Sequence, residues 1–110
     1  RGRSDEWERA YEHISDHFRF DPTKPSHAIF ARRYCTKDAI KSLLYRAASG
    51  PSRVTLTRLT IDGRPTGRAG VKIVRRFGDA VGENVKQTCL VIIVDAQGTL
   101  ISAYPATEDE

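Results

Sequence analysis

The chain predicts an α+β domain, two N-terminal helices packed on a four-stranded antiparallel sheet. Two patterns carry this expectation. Apolar residues recur at helical spacing through the first half, and the spacing changes to two from Arg53 onward. With 110 residues there is room for one hydrophobic core, so 1–110 reads as a single domain. Apolar residues make up 39% and charged residues 29%, a globular balance rather than a disordered one.

The first helix is expected to start at Ser4, an N-cap residue followed by Asp5 and Glu6, whose charges suit a helix N-terminus. Trp7, Ala10, Tyr11, Ile14 and Phe18 form one stripe, and the helix ends near Phe18 or Arg19. Residues 21–26 hold Pro22 and Pro25 and read as a loop. Ala28 to Tyr34 is either a short strand or a turn. Thr36 caps the second helix, Ile40, Leu43, Leu44 and Ala47 are its stripe, and Gly50-Pro51 ends it.

The first strand covers Arg53 to Asp62, with a parity change between Leu56 and Leu59 that predicts a bulge near Arg58. Asp62-Gly63 opens a turn region reaching Gly70. Val71 to Phe77 is the second strand. Thr88 to Val94 is the third, apolar on both faces and therefore central. After a tight turn at Asp95 to Gly98, Thr99 to Tyr104 is the fourth, stopped by Pro105.

The charge balance points to a polyanion. Lys and Arg number 18 against 14 acids, a net charge of +4. Three of those acids are the last three residues; residues 1–107 alone carry +7. Thirteen of the 18 cations are Arg, whose planar fork suits phosphate. A nucleic acid is the simplest partner, and the alternative is a domain that is merely basic. The longest apolar run, Leu90 to Val94, is far short of the roughly 20 residues of a membrane span. No signal peptide opens the chain, and no methionine occurs, so it is expected to be a processed product or an excised domain whose natural carboxyl end is Glu110. Cys35 and Cys89 lack CxxC spacing and make no zinc site; two buried thiols are favoured over a disulfide.

The residues able to move protons near neutrality are His13, His17 and His27. His13 and His17, four apart, share a helix face beside the apolar stripe. A third ligand and an HExxH run are missing, so no metal site is expected. A structural role stands open for each histidine. Residues 63–78 hold Arg64, Arg68, Lys72, Arg75 and Arg76 and no acid. Lys72 and Arg76 share a face. Arg75 interrupts the apolar row of Val71, Ile73 and Phe77, and either reaches a site at the sheet edge or snorkels. Arg32 and Arg33 add charge near His27. Hairpin pairing about Asp95 to Gly98 sets Ser102 opposite Val91 and Tyr104 opposite Cys89, with Thr88 near Pro105. Ser102 and Tyr104 then share a face, as phosphate-positioning hydroxyls or as ordinary strand residues. A P-loop, GxGxxG, GxSxG and an acidic cluster for two metals are all absent. Imidazole, cations and hydroxyls without a metal fit ribonuclease chemistry, because RNA brings its own 2′-OH nucleophile.

The closing segment Gly98-Thr-Leu-Ile-Ser-Ala-Tyr-Pro105 resembles the last strand of the RNase A-like toxin domains at the C-termini of bacterial contact-dependent growth inhibition proteins. There a hydrophobic pair precedes Thr-x-Tyr-Pro; here Ser102 stands for the Thr and Tyr104 matches the Tyr. The helix with His13, His17 and Phe18 is similar to that family's early His segment, in which the later His is catalytic. The family's following Gly-Lys is replaced by Arg19-Phe20. The element order also resembles the barnase, EndoU, colicin E-five/D and RelE type of ribonuclease fold. Both groupings imply a metal-independent endoribonuclease toxin with no cofactor. It would cleave tRNA to a 2′,3′-cyclic phosphate after delivery from a larger carrier into a target-cell cytoplasm. A cognate immunity protein would keep it silent, and outside that complex it would be a monomer. The expected catalytic residues are His17, His27, Arg75, Ser102 and Tyr104, and the expected substrate-binding residues are Lys72, Arg76, Arg32, Arg33 and Thr88. The alternatives are a non-catalytic nucleic-acid-binding module and a metal-dependent nuclease toxin.

Overall fold

Thr36 opens the clearest element. Its Oγ1 accepts a hydrogen bond from the backbone N–H of Ala39 (3.1 Å), the N-cap that the sequence predicts for helix α2, Lys37–Ala48. Ile40, Leu43 and Ala47 of α2 are buried. The computed structural model describes residues 3–19, 22, 23, 28–50, 52–61 and 64–108. Helix α1 spans Arg3–Ser15, so Ser4 lies inside it rather than capping it, and it ends three or four residues earlier than its apolar stripe suggests. Lys37 of α2 pairs with Glu8 of α1, and Lys37 and Lys41 lie over the rings of Tyr11 and Trp7. The ambiguous stretch before α2 holds an isolated bridge between Phe30 and Gly82 and a single 3₁₀ turn, Arg32–Tyr34.

Four antiparallel strands follow, β1 Arg53–Ile61, β2 Arg64–Arg76, β3 Cys89–Asp95 and β4 Leu100–Ala106, in the spatial order β1-β2-β3-β4. With two α-helices this is an α+β architecture. The register of β1 against β2 shifts between Arg58 and Thr60, where the parity change of the sequence places a bulge. Strand β2 is seven residues longer at its start than Pro65, Gly67 and Gly70 suggest. Thr57 pairs with Gly70 and Arg58 with Ala69, so the ladder overrides the turn-like composition. Gly67 takes a positive φ of 77° within it. Pro105 does not stop β4. It lies inside that strand opposite Leu90, which an edge strand tolerates.

Alternation divides the sheet into two faces. On the inner face, Leu90, Ile92 and Ala103 share one buried cluster with Ala10 and Ile14 of α1, Ile40, Leu43 and Ala47 of α2, and the loop residues Phe30 and Val81. On the outer face, Val74, Cys89, Val91 and Ala106 form a smaller cluster with Ile93 and Tyr104 packed against it. Cys35 joins the first cluster and Cys89 the second, and both are free thiols. Among the described residues no helix is long and apolar enough to cross a membrane.

The tightest backbone approach is at Gly70. A Cβ there would lie 2.4 Å from Leu59 Cδ2 and 2.7 Å from the Val94 carbonyl oxygen. Leu59 can move but the ladder carbonyl cannot. Gly70→Ala is therefore expected to destabilise the protein by about 1–3 kcal/mol in urea unfolding, the usual range for overpacking.

Candidate functional site

Helix α1 ends at Ser15, so the 3.6-residue period no longer sets the direction of His17. His17 lies in the turn that follows, its N–H bonded to Ile14 O (3.0 Å) and its carbonyl accepting from Phe30 N–H (2.8 Å). The expectation that its ring stands beside the apolar stripe is corrected. His17 is 9% exposed, while His13 remains exposed in the last turn of α1. The imidazole stacks on the Tyr104 ring, with centroids 5.7 Å apart and planes 25° from parallel, and meets Phe30 edge-on at 6.4 Å. Its Nδ1 lies 2.8 Å from Ala28 O. A carbonyl has no proton to give, so Nδ1 is the donor and bears the proton. In the neutral ring the basic lone pair is then on Nε2. The signal for this contact is a backbone carbonyl, which no side-chain pattern reports.

Strand β4 supplies the other partner. Ser102 and Tyr104 do share the outer face, but two positions out of the expected register. Ser102 pairs with Ile93 and Tyr104 with Val91. The cause lies at the hairpin. Asp95 Oδ1 accepts from Gln97 N–H and Thr99 N–H, each at 2.9 Å, and the register breaks between Ile93 and Val94, leaving Ile101 as the extra residue. The corrected register aligns two cross-strand rows on the outer face. One runs Thr55, Lys72, Ile93, Ser102; the next runs Arg53, Val74, Val91, Tyr104. Ser102 and Tyr104 are about 7 Å apart along the strand, and Lys72 lies two strand spacings, about 10 Å, from Ser102. Arg76 opens a third row and is ion-paired with Glu108 at the surface.

The remaining candidates fall elsewhere. Arg75 alternates onto the inner face opposite Leu90, and its guanidinium lies against Gly50, just past the end of α2, and over the Phe77 ring (5.2 Å). The structure therefore does not bring Arg75 to Ser102 and Tyr104. Thr88 alternates to the inner side as well. Because Leu90 takes Pro105, Thr88 lies beyond the place the simple hairpin gives it. Its Oγ1 is buried without a hydrogen-bond partner among the described residues. Arg32 and Arg33 are exposed, and Arg33 donates to Ala80 O and covers the Tyr34 ring. His27 lies outside the described residues; it precedes Ala28 in the chain. No group of three or more His, Cys, Asp and Glu suited to a metal ion occurs among the described residues. No protein-family model, curated protein or solved structure matches this chain.

Cys35 belongs to the same junction. Its Sγ lies 3.5–3.6 Å from the carbonyls of Phe18, Phe30 and Ala31. Burial, reinforced by the Glu83 carboxylate and opposed by Arg32, raises its pKa. A thiol whose folded pKa is raised contributes fully below the ordinary thiol range and loses that contribution as pH climbs through the raised value. Thermal unfolding followed from neutrality to about pH 10 is expected to show an alkaline loss of stability that shrinks in Cys35→Ala.

Proposed function

We propose that the chain is a metal-independent endoribonuclease toxin that cleaves RNA, most simply tRNA, by 2′-OH attack to a 2′,3′-cyclic phosphate. The observation that carries this reading is the His17 imidazole, stacked on Tyr104 with its Nδ1 proton given to Ala28 O. That bond leaves Nε2 as the nitrogen that exchanges a proton at the reacting phosphate. Acting as base, His17 takes the 2′-OH proton as that oxygen attacks phosphorus, and an acid protonates the departing 5′-oxygen. His27, next to Ala28 in the chain, is the proposed second proton carrier. The Ser102 and Tyr104 hydroxyls hold the phosphate oxygens. Lys72, in the row of Ser102, takes the charge-stabilising role that the sequence gives to Arg75, with Arg76, Arg32 and Arg33 on the flanking phosphates. The fold in this reading has both N-terminal helices packed on the inner face and the outer face left to substrate. The wider reading is a domain delivered from a larger carrier, active in a target-cell cytoplasm, monomeric, and silenced by a cognate immunity protein.

The purified chain incubated with total RNA in chelator is expected to yield discrete tRNA fragments with 2′,3′-cyclic ends. Because His17 is buried, truncating it to Ala opens a cavity, so the informative variant is His17→Gln, checked for folding by thermal unfolding. Its cleavage rate is expected to fall by about 100-fold or more, the usual share of a general acid–base group. Tyr104→Phe keeps the stack and loses the hydroxyl, so it should lower the rate with little change in stability. A folded His17→Gln that cuts at full rate overturns the assignment. Salt-sensitive binding without product identifies a binding module instead, and cutting only on added divalent metal identifies a metal-dependent nuclease.

The outer-face cations carry a separate prediction. Lys72→Ala with Arg76→Ala is expected to weaken RNA binding and to reduce the slope of log affinity against log salt by about two.

A further inference from the structure

The two edges of the sheet differ. Edge β4 is in contact with α1, and Ala103, Pro105 and Ala106 within it are buried. At the opposite edge, Arg53, Val54, Thr55, Leu56 and Arg58 of β1 are all exposed. Val54 is 60% and Leu56 85% exposed, and alternation puts both on one side of the strand. An extended edge with an exposed apolar stripe is a template for another strand, because its outward N–H and C=O groups are already set at ladder spacing. Its electrostatic surroundings are one-sided. From residue 53 to 76 the sequence holds seven cations and a single acid, Asp62.

We propose that the β1 edge docks an extended segment of an acidic protein, added to the sheet as a fifth strand. Its apolar side chains cover Val54 and Leu56 on one face, and its carboxylates meet Arg53 on the other. Charge decides among occupants. A second copy of β1 would bring its own Arg53 and Arg58 to an edge that is already cationic, which like charge opposes. RNA draws on phosphate contacts and aromatic stacking, and the exposed stripe is aliphatic. The docked strand lies four strand spacings, about 19 Å, from β4, so the proposal stands apart from the ribonuclease reading and does not need it.

The test uses the isotope-labelled chain and a synthetic peptide of about eight alternating Glu and Val residues, the length of a typical strand. Expected is slowed amide exchange at the alternate β1 positions that face away from β2. Affinity should fall several-fold in Leu56→Thr and about tenfold or more in Arg53→Glu. These residues are exposed, and unfolding curves confirm that the variants stay folded. The proposal is overturned if a Lys–Val peptide binds equally well or if the Glu–Val peptide gives no protection on β1. It is also overturned if an RNA oligonucleotide protects the same amides, or if the chain dimerises through Leu56 in sedimentation. None of these outcomes depends on whether the chain cleaves RNA.

Discussion

The junction that places the candidate site is held by one residue bonded twice. His17 accepts from Phe30 through its carbonyl and donates to Ala28 O through its ring, each at 2.8 Å. The segment so captured is bonded onward, Glu83 N–H to Ile29 O (2.7 Å) and Ala31 N–H to Val81 O (2.8 Å). The end of α1, the stretch before α2 and the loop before β3 therefore meet at a single point. Phe30 and Val81 are each 1% exposed there. A buried imidazole must find partners for its nitrogens, and a buried carbonyl must find a donor. The Nδ1 bond gives one ring nitrogen and the Ala28 carbonyl their partners and, in doing so, fixes the tautomer. Stability and proton placement have the same origin in this molecule.

The Tyr104 stack follows from topology. Tyr104 belongs to the outer face, whereas Ala10 and Ile14 of α1 belong to the inner cluster. They come within reach because β4 is an edge strand, so a residue just past the end of α1 meets the side of the sheet where no fifth strand intervenes. A run of rings supports that position: Trp7 on Tyr11, Tyr11 on Phe18, Phe18 on Phe30, with His17 against Phe30 and Tyr104. Edge-to-face and stacked contacts of this kind add about 0.5–1.5 kcal/mol each beyond burial. They hold the imidazole with little rotational freedom, which is what the proposed proton carrier requires.

What was legible in the sequence was local. Thr36 with Ile40, Leu43 and Ala47 specifies α2 through capping and period alone, and the parity change at Leu59 specifies the bulge. The first half of β2 was hidden because Pro65, Gly67 and Gly70 carry turn chemistry. There Gly70 serves close approach to Leu59 and the Val94 carbonyl, a long-range requirement. The register of β4 was hidden because Ile101 is extruded by a turn whose Asp95 caps two N–H groups. For the site, alternation correctly put Ser102 with Tyr104 and Arg75 away from Lys72. It could not say that Arg75 ends at Gly50, because that depends on where α2 stops relative to β2. The inward turn of His17 was invisible for a similar reason, since periodicity predicts direction only while the helix lasts.

The outer face carries part of the chain's positive charge. Lys72, Arg76 and Arg53 stand in adjacent rows over a small apolar floor, and Glu108, the first of three consecutive acids, is ion-paired with Arg76. Both partners are largely exposed, so the pair is worth little to folding. Its weakness matters for the polyanion ligand of the proposed function. An exposed carboxylate that costs little to displace keeps Arg76 occupied in the absence of phosphate and yields to a phosphodiester, which an Arg fork binds in two places at once. The basic sheet is thus partly neutralised at rest without being blocked. On the proposed reading, the excess of +7 in residues 1–107 is available to a ligand with many phosphates.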